Sequence, residues 1–227
     1  MITIPGLQPS RELRADLAPG PVLLGFSRGK DSIAAWLALR ASGVEVIPFH
    51  LYRIPGIAFE HESLAYFEDV FGTKILNLPH PALYRWLNSY MFQPPERCSI
   101  IDAACLPTPT YEEVVDMLRD DHSTGAWYVD GVRACDSIVR RVAMQRHGVR
   151  KTKGLKAHVI WDWQVSDVRA AIAAAGVELP PDYEWFGRSF DGLDRRFLEP
   201  LSRHAPDDYA TVLRWFHLAE LEVIWRG

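Results

Sequence analysis

Between a short apolar run and a helical one, the chain reads Ser27-Arg28-Gly29-Lys30-Asp31-Ser32, residue types that together suit an anion such as phosphate. Ser27 and Ser32 offer hydroxyls, Lys30 a mobile positive charge, and Gly29 lets backbone come close to a ligand. Asp31 is placed to cap the following helix or to hold a metal that bridges phosphate oxygens. The apolar run Val22–Phe26 predicts a short buried strand, and Ile33, Trp36 and Leu37 at helical spacing predict an amphipathic helix through Arg40. A strand, a polar turn and a helix N-terminus direct unpaired N–H groups and the positive end of the helix dipole at whatever the turn holds.

A second run of this kind is Gly131-Val-Arg-Ala-Cys-Asp-Ser-Ile-Val-Arg140. Gly131 frees a turn, Asp136 is expected to cap the next helix, and Arg133 follows the end of a predicted strand. Arg140, one helical turn beyond Asp136, reaches the same rim. Two guanidinium forks converging there suit phosphate or sulfate, because they pair bidentately with oxyanions. The other reading of both arginines is a surface ion pair. Arg140, Arg141, Arg146, Arg150, Lys151, Lys153 and Lys156 then form a basic segment, residues 140–156, with no acid within it. It suits a polyphosphate tail, a nucleic-acid or small-molecule acceptor, an acidic carrier, or simply solvent.

These runs need a frame. Val44–Tyr52 reads as a second strand, which makes strand–helix–strand over about thirty residues, the βαβ unit of parallel sheets. Phe59–Phe71 is a helix stopped by Gly72, Thr73–Leu78 a third strand, and Pro79–Pro81 the start of a helix to about Tyr90. Residues 92–109, with Pro94, Pro95, Pro107, Pro109 and two cysteines, read as a long irregular segment, a lid or substrate-specific insertion. Thr110–Glu113 is a capping box, and Ala126–Asp130 a fourth strand. Ala157–Ile160 leads into a helix over Val168–Ala175, with Ser166 as the expected N-cap and Gly176 as its end. The predicted class is α/β, a doubly wound and mostly parallel sheet with helices on both faces, Rossmann-like. Residues 1–20 are expected as an N-terminal arm with a helix over Ser10–Leu17, 21–190 as the main domain, and 191–227 as a helical tail. In that tail Tyr209, Val212, Leu213 and Phe216 share a stripe that serves the core or a subunit contact, so a homo-oligomer is among the expected states.

With 227 residues, 48% apolar and 24% charged, the chain is long enough for one large α/β domain. A formal charge of −4 gives no overall drive toward nucleic acid or an anionic membrane. Met1-Ile-Thr-Ile-Pro-Gly6 lacks the basic and apolar regions of a signal peptide, so a cytoplasmic location without membrane partners is expected. Cys98, Cys105 and Cys135 are odd in number and widely spaced, which argues against a disulfide framework. Cys98 and Cys105 fit no standard zinc spacing and read as ordinary thiols.

Ser-x-Gly-x-Asp-Ser is not the Walker A spacing. It resembles the PP-loop of the adenine-nucleotide alpha-hydrolase, or N-type ATP pyrophosphatase, superfamily. The run Gly131–Arg140 matches Gly-x-Arg-x-x-(Glu/Asp)-Ser-x-x-Arg of that superfamily's phosphoadenosine-phosphosulfate (PAPS) reductase-like branch at every fixed position. Trp161-Asp-Trp-Gln-Val-Ser-Asp-Val168 resembles its Asp-Trp-x-x-x-Asp-Val signature, in which Asp162 and Trp163 are architectural. Gly187-Arg-Ser189 echoes its tail. The likeness spans roughly residues 20–190.

The resemblance implies binding of ATP with Mg2+ and cleavage between the α and β phosphates to adenylate an acceptor, as in sulfur-transfer or amidation chemistry. It implies that Ser27, Arg28, Gly29, Lys30, Asp31, Ser32, Gly131, Arg133, Arg140 and Arg188 contact the nucleotide, with Lys30, Asp31 and Arg133 in the chemistry and Asp31 on the metal. It places His50, with the residues through Arg53, beside the adenine, although a hydrogen-bonded structural histidine is an equal reading. Reductases of that branch carry a catalytic cysteine in a Glu-Cys-Gly tail. Here the sequence reads Glu222-Val-Ile-Trp-Arg-Gly227, with no cysteine after Cys135. Two alternatives stay open: a PAPS reductase with a displaced cysteine, and a non-catalytic nucleotide- or nucleic-acid-binding protein.

Overall fold

The computed structural model describes residues 1–224. Positions 225–227, the end of the expected tail, lie outside the described residues. Among the described residues six strands, β1 (Val22–Gly25), β2 (Val46–Tyr52), β3 (Leu76–Pro79), β4 (Trp127–Asp130), β5 (Arg150–Lys151) and β6 (Lys156–His158), make one sheet in the order β3-β2-β1-β4-β6-β5. β1 runs parallel to β2 and β4, β4 runs parallel to β6, and β5 turns back antiparallel on β6. Val22, Leu23 and Leu24 are at most 1% exposed, which is why central β1 reads as a continuous apolar run rather than an alternating one. The chain leaves β1 toward β2 on one side and returns to β4 on the other. The strand order therefore reverses at β1/β4, and in doubly wound sheets ligands bind outside the strand ends at such a switch point.

The flanking helices are α1 (Ser10–Leu17), α2 (Lys30–Ala41), α3 (Ala58–Phe71), α4 (Pro81–Asn88), α5 (Pro95–Ala104), α6 (Tyr111–His122), α7 (Ile138–His147), α8 (Val165–Ala175), α9 (Asp182–Phe186), α10 (Arg195–His204), α11 (Pro206–Trp215) and α12 (Leu221–Ile224). The fold is thus the expected doubly wound, Rossmann-like α/β. No helix among the described residues is long and apolar enough to cross a membrane.

Three local expectations are corrected. Residues 92–109 are not irregular: α5 occupies their centre, with Pro95 at a first-turn position where proline's missing N–H costs nothing. Helix α8 is capped by Gln164 in a capping box with Asp167, not by Ser166, so it begins at Val165. Helix α7 is capped by Ser137, whose hydroxyl accepts from the Arg140 N–H, and not by Asp136.

The chain divides into two compact units. The first comprises residues 1–50, 73–76 and 115–179. In it α1 buries one face: Leu13 is fully covered, and Arg14 donates to the Val159 carbonyl at 2.6 Å and stacks on Trp163. Asp162 accepts the Ser10 N–H at the start of the same helix. The second unit comprises residues 51–72, 77–114 and 180–227. Its core joins Ile54, Phe59, Phe190, Phe197, Val212 and Phe216, so the stripe on α11 serves this core. A buried carboxylate, Asp208 of α11, accepts the N–H groups of Ala58 at 2.6 Å and Phe59 at 3.1 Å and so caps α3.

Candidate functional site

The turn after β1 is tighter than its glycine suggests. Gly29 is extended, with φ −74° and ψ 154°, and serves as the N-cap of α2 without a side-chain bond. The left-handed residue is Arg28, at φ 60° and 1% exposed. A non-glycine residue there costs roughly 1–2 kcal/mol, strain of a kind that collects at ligand sites. Because α2 starts at Lys30, the residues Lys30, Asp31 and Ser32 form its first turn, and their N–H groups have no acceptor within the helix. Asp31 is therefore inside the helix and does not cap it. Ser27 donates to Ser32 Oγ at 3.3 Å and Ser32 to the Gly29 carbonyl at 2.8 Å, so the two hydroxyls close the turn.

The run after β4 meets this turn. A Cβ added to Gly131 would stand 2.4 Å from the Asp31 carbonyl oxygen and 3.1 Å from the Ser32 nitrogen. Only a residue without a side chain lets the end of β4 lie against the first turn of α2. Two residues on, Arg133 is 2% exposed, with Nε 2.9 Å from Asp31 Oδ1 and Nη2 2.7 Å from Asp136 Oδ1. The first contact is an ion pair by distance, since the Nε–H is not aimed at the oxygen. Nη1 of Arg133 is buried with no hydrogen-bond partner among the described residues. Asp136 also accepts from Arg140 Nη1 at 2.8 Å, which leaves that half-exposed guanidinium on the same rim.

No model of a known protein family matches the chain, and no curated protein matches it. The two runs are tied together by their geometry.

His50 is buried at the end of β2, and its Nδ1 donates to the Phe26 carbonyl at 2.9 Å, locking the ends of β1 and β2 together. Arg188 belongs to the second unit. There it pairs with Asp191 at 2.5 Å and lies over Phe197, near Arg53, whose pKa is lowered by burial above all. Within the basic segment, Arg150 stacks on Trp127 and Lys156 approaches Asp130 at 3.4 Å, while Arg141, Arg146, Lys151 and Lys153 are exposed. The three cysteines are free thiols.

One pair was not anticipated. Asp130 and His158 end the adjacent strands β4 and β6 in register, and their side chains meet at 2.6 Å. Burial pushes the Asp130 carboxyl up, but the His158 bond and charge, the Lys156 charge and the Val132 N–H together outweigh it and hold the pKa low. The two residues are 28 apart in sequence, and neither falls inside a recognisable run, so only strand register brings them together.

For nucleotide phosphates the residues fit: a buried guanidinium with an unpartnered N–H, an ammonium, and a helix N-terminus lie together. For magnesium, Asp31 would offer a carboxylate, its Oδ2 2.7 Å from Lys30 Nζ. A single carboxylate of this kind is compatible with magnesium that arrives with a nucleotide.

Proposed function

We propose that the chain is a PP-loop ATP pyrophosphatase related to the PAPS reductase-like branch, which binds magnesium-ATP and adenylates an acceptor. The observation that carries this reading is the junction of the two runs at the sheet's switch point, where Gly131 rests on Asp31 and Arg133 is buried between Asp31 and Asp136. The amides of the first turn of α2, Ser27, Ser32 and Lys30 would hold the leaving pyrophosphate, and Arg133 would neutralise charge as it develops. Lys30, a flexible point charge now on Asp31, would serve the phosphates, and Asp31 would hold the magnesium. The bound ion supplies Lewis-acid neutralisation of the phosphates. The remaining work is positioning for in-line attack at the α-phosphorus.

The test is pyrophosphate release from magnesium-ATP by the purified chain against a panel of amines, hydroxyl compounds, sulfur donors and tRNA. Release above background with one acceptor class supports the reading. Sulfite release from PAPS in the presence of thioredoxin would favour a reductase instead. If ATP, ADP, AMP and PAPS all leave the Tm unmoved, the nucleotide reading fails, since a ligand of the folded state alone must raise it.

A further inference from the structure

We propose that Asp130 and His158 form the proton-accepting pair that activates the acceptor for attack on the nucleotide, a role that rests on the adenylation reading above. Both are the last residues of their strands, at the C-terminal rim that carries the two runs. Asp130 immediately precedes Gly131, and its Oδ1 accepts the Val132 N–H at 3.1 Å, which ties the carboxylate to the loop holding Arg133. The same oxygen takes the His158 Nδ1 contact at 2.6 Å. A carboxylate only accepts, so Nδ1 of the ring donates. In the neutral ring the lone pair is left on Nε2, the arrangement by which a carboxylate orients a histidine as a base. Lys156 Nζ, 3.4 Å from Asp130 Oδ2, keeps the carboxylate ionised inside the fold. His158 is 8% exposed, so the pair is shielded from bulk water yet not sealed.

In the step, the acceptor's oxygen or nitrogen forms a bond to the α-phosphorus, the bond from that phosphorus to the bridging oxygen breaks, and the electron pair leaves with pyrophosphate. The acceptor's proton passes to His158 Nε2 and from there to solvent. No oxidant or further reactant is needed. The acceptor class is therefore a neutral, weakly acidic group, a hydroxyl or an amine, that gains from losing its proton.

His158→Asn tests this in the full chain, because the amide keeps an N–H for Asp130 while removing the ring's lone pair. Magnesium-ATP affinity is measured by calorimetry, and pyrophosphate release is followed with water and with hydroxylamine as acceptors. Water needs a base far more than hydroxylamine does. The expected result is unchanged affinity, a loss of roughly 10²–10⁴-fold with water, and a much smaller loss with hydroxylamine. Equal losses with both, no loss with either, or a parent chain that binds ATP but releases no pyrophosphate overturns the pair's role. Failure of the parent to bind ATP at all sinks the nucleotide reading beneath it and is distinguishable on that ground. If His158→Asn does not fold, Asp130→Asn, which no longer fixes the tautomer, must show the same split between water and hydroxylamine.

Discussion

Asp136 holds Arg133 at two points, accepting its backbone N–H at 3.0 Å and its Nη2 at 2.7 Å. The arginine's direction is thus set by a neighbour three residues on, before any ligand arrives. Asp136→Ala should cost about 1–3 kcal/mol of stability, because it strips a partner from a buried cation. It should also weaken magnesium-ATP binding by roughly tenfold, about 1.4 kcal/mol. Denaturant melts and calorimetry measure the two effects. An unchanged affinity would mean that the placement of Arg133 is immaterial to the nucleotide.

Gly131 is needed for space and not for its dihedral angles. In Gly131→Ala the new methyl meets backbone atoms of Asp31, which cannot swing away as a side chain would. Overpacking of this kind costs typically 1–3 kcal/mol, or about 2–12 °C in the Tm of a chain this size. Gly20→Ala, with nothing near its added carbon, is the control and should melt like the parent.

Lys30→Ala should leave the fold intact, since the side chain is 29% exposed and its bond to Asp31 lies at the surface of the turn. Loss of a charge-assisted bond to phosphate costs about 1.5–3 kcal/mol, roughly ten- to a hundred-fold in ATP affinity. A folded variant that binds as tightly as the parent removes the loop from the phosphate site.

The exposed Arg141, Arg146, Lys151 and Lys153 make a test of nucleic-acid contact straightforward. If all four meet phosphates of tRNA, the log–log dependence of affinity on salt should have a slope of about 3, at roughly 0.7–0.9 per contact. Substituting all four by Ala should flatten it. Absent binding at low salt assigns the segment to solvent.

The lowered pKa of Asp130 carries a pH signature. Its folded value lies below the ordinary carboxylate value of about 3.9. Between the two, the unfolded chain binds a proton that the folded chain refuses, so stability rises with pH there. The contribution is complete above about pH 4 and is lost as the pH falls through the folded value. Asp130→Asn should therefore show a shallower acid-side fall in Tm than the parent, and equal slopes would mean that the pair contributes nothing to acid stability.

Much of the frame is legible in the residues. The apolar run of β1, Gly72 at the end of α3 and the Thr110–Glu113 box each act through local chemistry, and each stands where it was expected. Helix α5 escaped because none of its residues is buried, so it carries no apolar stripe, and its prolines resemble loop punctuation. The caps of α7 and α8 escaped because neighbouring polar residues compete for one role, and packing decides between them. At the site, the residue types of both runs were plain. Their contact through Gly131, and the pairing of Asp130 with His158, depend on strand register that no single stretch contains.

The cap that Asp208 places on α3 makes the order of synthesis matter. On the ribosome α3 emerges long before residue 208 exists, so its first turn begins without its acceptors. Phe59 of that helix has no finished core until the last helices are made. A chain stalled short of α11 would show this ring to chaperones and proteases, so truncated products should be cleared quickly rather than accumulate half-folded.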